Sequence, residues 1–365
     1  MDGKVPSERA SEELHEFYAE LGQRHLAALW TVTADLLPRE PKTKVLPWLW
    51  RWKELSTLAL RAAELVSIER GGERRVLALV NPGLGGKYAT THTLWGAVQI
   101  LLPGETAPAH RHTPAAIRFI LQGEGAFTTV EGDKCLMGPG DLVLTPPWTW
   151  HDHGSEGQEP VIWFDGLDLP LAHDLDAVFF EPYAEHVQPV AAVNGSELRF
   201  AASPLLPTWE RRGGSSSPLY NYKWRETRAA LDRLAQFEAS PFDDVALEYT
   251  NPATGGPVLP TMTCWIQLLR PGVHTRAHRQ VNSAVYAVFE GSGESIINGQ
   301  RFVWEKGDMF VVPPWAWHEH TNPASEAAIL FSIQDTPVMK ALGLYREEPY
   351  VADDGHQPVT GIFSG

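Results

Sequence analysis

His110, His112 and His151 are the residues of this chain best suited to chemistry. Neutral imidazoles bind borderline divalent ions such as Fe(II), Zn(II), Cu(II) or Ni(II). Three protein ligands leave part of the coordination sphere open, which is the pattern of a catalytic metal site. Residues i and i+2 of a strand share a face, so His110 and His112 aim together while Arg111 points away. The same parity sets His153 beside His151, where it could move a proton near the metal or support a ligand from behind. Arg118 stands between Ile117 and Phe119. A guanidinium among apolar neighbours needs an anion, because an unpaired buried charge is costly. A substrate carboxylate would supply one with bidentate geometry, and a structural salt bridge is the alternative. Asp165 could orient the His153 ring or only cap a strand end. Arg70, Arg74 and Arg75 cluster in an otherwise acidic chain, as an anion site or as a solvated patch.

These residues belong to a frame that occurs twice. Gly104 and five further residues precede His110-Arg111-His112; Gly140 and five further residues precede Pro146-Pro147-Trp148-Thr149-Trp150-His151. The second copy reads Gly272, five residues, His278-Arg279-Gln280, then Gly307, five residues, Pro313-Pro314-Trp315-Ala316-Trp317-His318. His110 and His278 lie 168 residues apart, His151 and His318 167, so one single-residue indel relates the copies. Gln280 replaces the middle histidine and Tyr286 stands at the position of Arg118. The second copy is therefore expected to be structural, with any metal at His278 and His318 only a remnant. Trp315 and Trp317 are expected to fill core or interface.

Short apolar runs bounded by Gly and Pro (Val76–Val80, Trp95–Leu102, Ile117–Leu121, Leu142–Leu144, Val161–Phe164) predict antiparallel strands in a sandwich or barrel. Strand patterning resumes near Ala246 and runs to about Ser332. Helices are predicted over the first ~30 residues, with Ser11 as N-cap and Leu14, Phe17, Tyr18 and Leu21 on one face. Others are predicted at Glu54–Val66, with Leu55, Leu58, Ala62 and Leu65 inward, and near Glu226–Phe237, with Leu231 and Leu234 inward. The expected organisation is a helical segment over 1–74, a first barrel over 75–190, a helix-containing linker over 191–245 and a degenerate barrel over 246–365.

The net charge of −15 on 365 residues argues against a nucleic-acid partner or an anionic membrane surface. Two distant cysteines, Cys135 and Cys264, exclude a disulfide framework and fit a reducing cytoplasm. No signal peptide is read at the start, and no apolar run reaches the ~20 residues of a membrane span.

The histidine, glycine and proline frame resembles the cupin superfamily. That pattern has a glutamate where this chain has Ala116, a glycine at Trp148, and an asparagine at Ser155 that the second copy keeps as Asn322. Without the glutamate, three neutral ligands would leave a divalent ion its full charge and up to three open sites. Such an ion suits a chelating anionic substrate and O₂, which favours a dioxygenase over a zinc isomerase or a storage protein.

The flanking segments narrow the resemblance. Residues 70–75 (RGGERR), 81–86 (NPGLGG), 94–99 (LWGAVQ), 105–112 (ETAPAHRH), 164–168 (FDGLD) and 307–313 (GDMFVVP) are similar to the gentisate 1,2-dioxygenase family. That family has relatives acting on salicylate and 1-hydroxy-2-naphthoate. The resemblance implies an all-β bicupin, two jelly-roll-like barrels, whose first barrel binds Fe(II) through His110, His112 and His151. It implies Arg74, Trp95, Gln99 and Arg118 as substrate-binding residues, with His153 and Asp165 in catalysis. It also implies a homotetramer that opens the gentisate ring with O₂ to give maleylpyruvate. A non-catalytic bicupin that binds an aromatic acid is the alternative of another class.

Overall fold

The computed structural model describes residues 8–67, 75–202, 205–209, 214–237 and 239–365. Arg70 and Arg74 lie outside the described residues.

The chain divides into two units, residues 1–42 and 43–365. The first contains the helices Glu8–Gln23 and Leu29–Leu36. Ser11 is not the N-cap: it lies inside the first helix, where its carbonyl accepts from His15 Nδ1 at 2.8 Å. Leu14 and Phe17 of the expected apolar face are exposed, and Tyr18 accepts a 3.0 Å hydrogen bond from Trp30 Nε1.

The second unit is built from four six-stranded sheets, paired as two open sandwiches rather than closed barrels. In the first sandwich one sheet takes its central strands from Trp95–Leu101, Ala116–Gln122, Leu142–Thr145 and Val161–Leu167. Its partner sheet contains Thr106–His112, Ala126–Val130, Asp133–Met137 and His151–Ser155. The second sandwich repeats this with Thr263–Leu269, Ala284–Glu290, Met309–Val312 and Ala328–Gln334 against His278–Gln280, Ser292–Ile297, Gln300–Glu305 and His318–Thr321.

The two sandwiches lie back to back on one shared core. Ile117, Phe119, Ile162 and Phe164 of the first pack with Ile266, Phe289, Phe331 and Ile333 of the second. The Phe119 and Phe331 rings stack with centroids 4.1 Å apart. These two sheets are thus buried on both faces, which is why their strands read as continuous apolar runs.

The two copies also exchange edge elements. Strand Trp48–Trp50 pairs with Met309–Val312 of the second copy, whereas Asn221–Tyr222 pairs with Leu142–Thr145 of the first. A helix follows each strand, Trp52–Leu65 and Trp224–Leu234 respectively. In the first helix Leu55 and Ala59 are buried, while Leu58 and Leu65, expected inward, face solvent. In the second, Leu231 is buried and Leu234 packs against the core as expected. Each helix is seated on a Gly-Asp turn of the sandwich it joins. A Cβ at Gly140 (φ +83°) would meet Trp224 at 2.6 Å, and one at Gly307 (φ +88°) would meet Trp52 at 2.3 Å.

Candidate metal centre and substrate pocket

Antiparallel pairing places His110 opposite His151, and an irregularity between Ala107 and His110 sets that register. With His112 two residues on, three rings converge: centroid separations are 4.3 Å (His110–His151), 4.8 Å (His112–His151) and 5.5 Å (His110–His112). One ring nitrogen of each lies within 4.8 Å of the others. Each Nδ1 donates to a backbone carbonyl: His110 to Pro108 (2.9 Å), His112 to Pro114 (2.7 Å) and His151 to Thr149 (3.0 Å). That fixes the tautomer and turns Nε2 toward the shared focus. The buried His151 Nε2 has no hydrogen-bond partner among the described residues. Burial, reinforced by His110, His112 and Arg118, holds the His151 ring well below the usual imidazole pKa and therefore neutral. An orphaned, neutral, buried nitrogen beside two matching rings fits a metal ion, and the donor set fits a borderline divalent one. Ala116 lines the same cavity where the cupin pattern has a carboxylate.

The facing sheet supplies the opposite wall. Arg118 and Asp165 are register partners, as are Gln99 with Trp163 and Trp95 with Leu167. Trp95, Gln99, Arg118, His153 and Asp165 all line one cavity of about 420 Å³ together with His110 and His112. Imidazoles thus come from one sheet and a buried guanidinium from the other.

Arg118 is buried, and its Nη1 donates to Thr145 Oγ1 at 2.5 Å. Its Nε lies 3.6 Å from Asp165 Oδ1, close enough for charge attraction but too far for a hydrogen bond, and neither atom has a hydrogen-bond partner among the described residues. Burial pushes the Asp165 carboxyl up to about 6 against the pull of Arg118. The guanidinium is half satisfied, with capacity left for an incoming carboxylate. Asp165 is therefore placed beside Arg118, whereas the His153 ring is held through Nδ1 and Thr128 Oγ1 at 2.9 Å. Burial, then Arg118, holds His153 well below its usual pKa.

Several lining residues gave no sequence signal. Val178 and Phe180 form an exposed apolar rim, with Phe180 the register partner of His112 and its ring 5.2 Å from His110. Thr128 and Thr145 do their work across strand pairs that only the register reveals. Arg75 is buried in an ion pair with Glu105, so it is neither part of a solvated patch nor of the pocket wall.

Trp148, where the cupin pattern has glycine, keeps the left-handed backbone at φ +61°. That conformation costs a non-glycine residue about 1–2 kcal/mol. Here the indole lies 4.4 Å under the Arg111 guanidinium, which also covers Trp150 and pairs with Glu181 at 2.6 Å. Arg279 repeats the arrangement over Trp315 and Trp317, so these indoles hold an arginine.

The second sandwich lacks the same chemistry as a set. The rings of His278 and His318 lie 4.4 Å apart beside Gln280, but Tyr286 stacks on Phe310 at 4.7 Å where the first copy has Arg118. Ser332 stands opposite it in place of Asp165. His320 nevertheless keeps the hydroxyl bond of His153, to Ser295 Oγ at 2.8 Å.

The sequence matches the cupin domain family twice, over residues 97–167 and 265–334. It is 42% identical to a 5-aminosalicylate 1,2-dioxygenase of Comamonas sp, over 96% of this chain and 94% of that one. It is 39% identical to gentisate 1,2-dioxygenase 1 of Aquipseudomonas alcaligenes, over 92% and 96% of the two chains. The crystal structure of salicylate 1,2-dioxygenase from Pseudoaminobacter salicylatoxidans with gentisate superposes with a TM-score of 0.88 at 39% identity, covering 95% of each chain.

Proposed function

The chain belongs to the bicupin family of gentisate- and salicylate-type ring-cleaving 1,2-dioxygenases, and from that premise we propose that it opens the ring of gentisate with O₂ at Fe(II) held by His110, His112 and His151. Both oxygen atoms end in the product, maleylpyruvate. The observation that carries this reading is the two-walled cavity, with imidazoles on one sheet and a half-satisfied buried guanidinium on the other.

Arg118 receives the substrate carboxylate and sets the ring's orientation. Trp95 packs beside the ring and Gln99 offers an amide at the buried end. Bound Fe(II) would supply Lewis acidity toward the carboxylate and the neighbouring phenol oxygen, together with activation of O₂. His153, neutral and tied at Nδ1, has its other nitrogen for the proton of the hydroxyl para to the chelating one. Val178 and Phe180 keep bulk water from the ring. The protein acts as a homotetramer in the cytoplasm, where its two free, buried cysteines stay reduced.

The test is anaerobic loading with Fe(II), then addition of gentisate and air, with O₂ uptake and keto-acid absorbance followed together. Gentisate is expected to be consumed faster than salicylate, 5-aminosalicylate or 1-hydroxy-2-naphthoate. Faster turnover of another member of that panel would move the substrate assignment there. His112→Ala is expected to lose bound iron; full retention would remove His112 from the ligand set.

A further inference from the structure

We propose that the outer face of the second sandwich carries a divalent-metal site formed by His274, Glu319 and His356, separate from the pocket described above. Glu319 lies between His318 and His320 in strand His318–Thr321, so alternation turns it away from the cavity those two histidines face. Its carboxylate is completely buried. Oε2 meets His274 Nε2 at 3.0 Å and His356 Nδ1 at 2.8 Å, while Oε1 accepts from the Gln357 backbone N–H at 2.7 Å. The two imidazoles stand at the rim, partly open to solvent, with centroids 4.1 Å apart.

One ligand atom of each residue lies within 4.8 Å of the other two, and the two nitrogen–oxygen separations suit a coordination shell. Neighbouring ligands of an octahedral ion bound at about 2.1 Å lie about 3.0 Å apart. Two imidazoles and one carboxylate select borderline ions such as Zn(II), Ni(II) or Co(II) over Mg(II) or Ca(II). Three protein ligands with the rim open leave positions for water.

The first copy forms the same clasp without the two imidazoles. At the equivalent place Asp152 Oδ2 accepts from the Gln188 backbone N–H at 2.9 Å, and Gln188 Nε2 reaches Thr129 O, as Gln357 Nε2 reaches Ile296 O. The carboxylate–glutamine clasp that ties the returning chain to the sheet is thus present in both copies. Thr106 and Val187 stand where the second copy has His274 and His356. The copy without the inner triad thus carries two ligand-type side chains on its opposite face. A bound ion there would pin the segment that carries His356, after the turn Asp353–Gly355, to the sheet edge.

The experiment is calorimetric titration of the iron-loaded, full-length protein with Zn(II), iron content being followed in parallel. The wild type is expected to take up one equivalent beyond the iron. His356→Ala and His274→Ala are each expected to lose it, and His318→Ala to keep it. Zn(II) is also expected to raise the unfolding temperature of the wild type but not of His274→Ala, a substitution at the exposed rim that leaves the clasp intact. No uptake beyond the iron overturns the proposal. So does an extra equivalent that persists in both rim variants, or one that disappears in His318→Ala, which would put the ion in the inner cavity.

Discussion

In the proposed reaction Arg118 and Asp165 set how strongly the pocket attracts a carboxylate. A hydrogen bond to a charged group is worth about 1.5–3 kcal/mol, and 1.4 kcal/mol is tenfold in affinity. Arg118→Gln is therefore expected to lower kcat/KM for gentisate by about 10- to 100-fold, while bound iron, measured separately, stays at the wild-type level. Asp165 acts in the opposite sense. Its carboxyl is pushed up to about 6 by burial, so it is ionised at pH 7.5, where we propose that it competes with substrate for the guanidinium. Below about pH 6 it takes up a proton and the competition ends. The dissociation constant of an ionised benzoate inhibitor is thus expected to fall as pH drops from 7.5 to 5.5. Asp165→Asn should bind tightly and flatly across that range; an unchanged pH dependence in this variant would refute the competition. At this scale the sequence was informative through strand parity for the three histidines and His153, and through its apolar neighbours for Arg118. It was silent on Thr128, Thr145, Val178 and Phe180, because their contacts depend on which strands pair and in what register. It also suggested a bond from Asp165 to His153, where the register instead delivers Asp165 to Arg118.

Between residue and molecule, the exchanged strand–helix pairs tie the two copies together. Their anchors are two aspartates in equivalent turns. Asp141 accepts from the Trp224 backbone N–H at 2.8 Å and from Lys223 at 2.6 Å. Asp308 accepts from the Trp52 N–H at 2.8 Å and from Arg51 at 2.9 Å. Removing a buried acceptor leaves its donors unsatisfied, at about 1–3 kcal/mol. Asp308→Ala is expected to destabilise the protein by that amount in urea unfolding, with an unchanged slope. Asp141→Ala should match it, because the two anchors are copies. Equal wild-type midpoints for both variants would mean that the helices are held elsewhere. Periodicity identified the helices Glu8–Gln23, Trp52–Leu65 and Trp224–Leu234 and five strands of one sheet of the first copy, but it gave the second copy only as one strand-patterned stretch. It misjudged the face of Trp52–Leu65, since Leu58 and Leu65 are as apolar as Leu55 and only the docking surface decides which side is covered. The exchange itself left no local trace, because Trp48–Trp50 would pair equally well, by pattern, with the copy it precedes.

For the whole molecule, the second sandwich serves as the rigid back wall of the first. Alternation along Ala116–Gln122 turns Arg118 into the pocket and Phe119 out of it, onto Phe331 and Phe289 of the other copy. Two reciprocal polar clasps lock the same interface. Asp168 accepts from Thr261 at 2.5 Å, and Asp335, its equivalent in the second copy, accepts from Thr93. A degenerate copy that lacks counterparts of Arg118, Asp165 and the middle histidine can still be required, because the strand bearing Arg118 rests on it. Two phenylalanines of the second copy separate this role from stability alone. Phe331 and Phe302 are both fully buried, but Phe331 belongs to the shared core and Phe302 to a cluster made chiefly of second-sandwich residues. Truncation to alanine should cost each about 3–5 kcal/mol. Misplacement of a binding group by 1 Å can cost about 10²-fold in rate. Phe331→Ala is therefore expected to raise KM and lower kcat/KM for gentisate by about 10-fold or more, whereas Phe302→Ala, equally destabilised, should keep wild-type kinetics below its unfolding temperature. Identical kinetic losses in the two variants would reduce the second sandwich to ballast. Loss in Phe331→Ala alone would make it the support that positions Arg118.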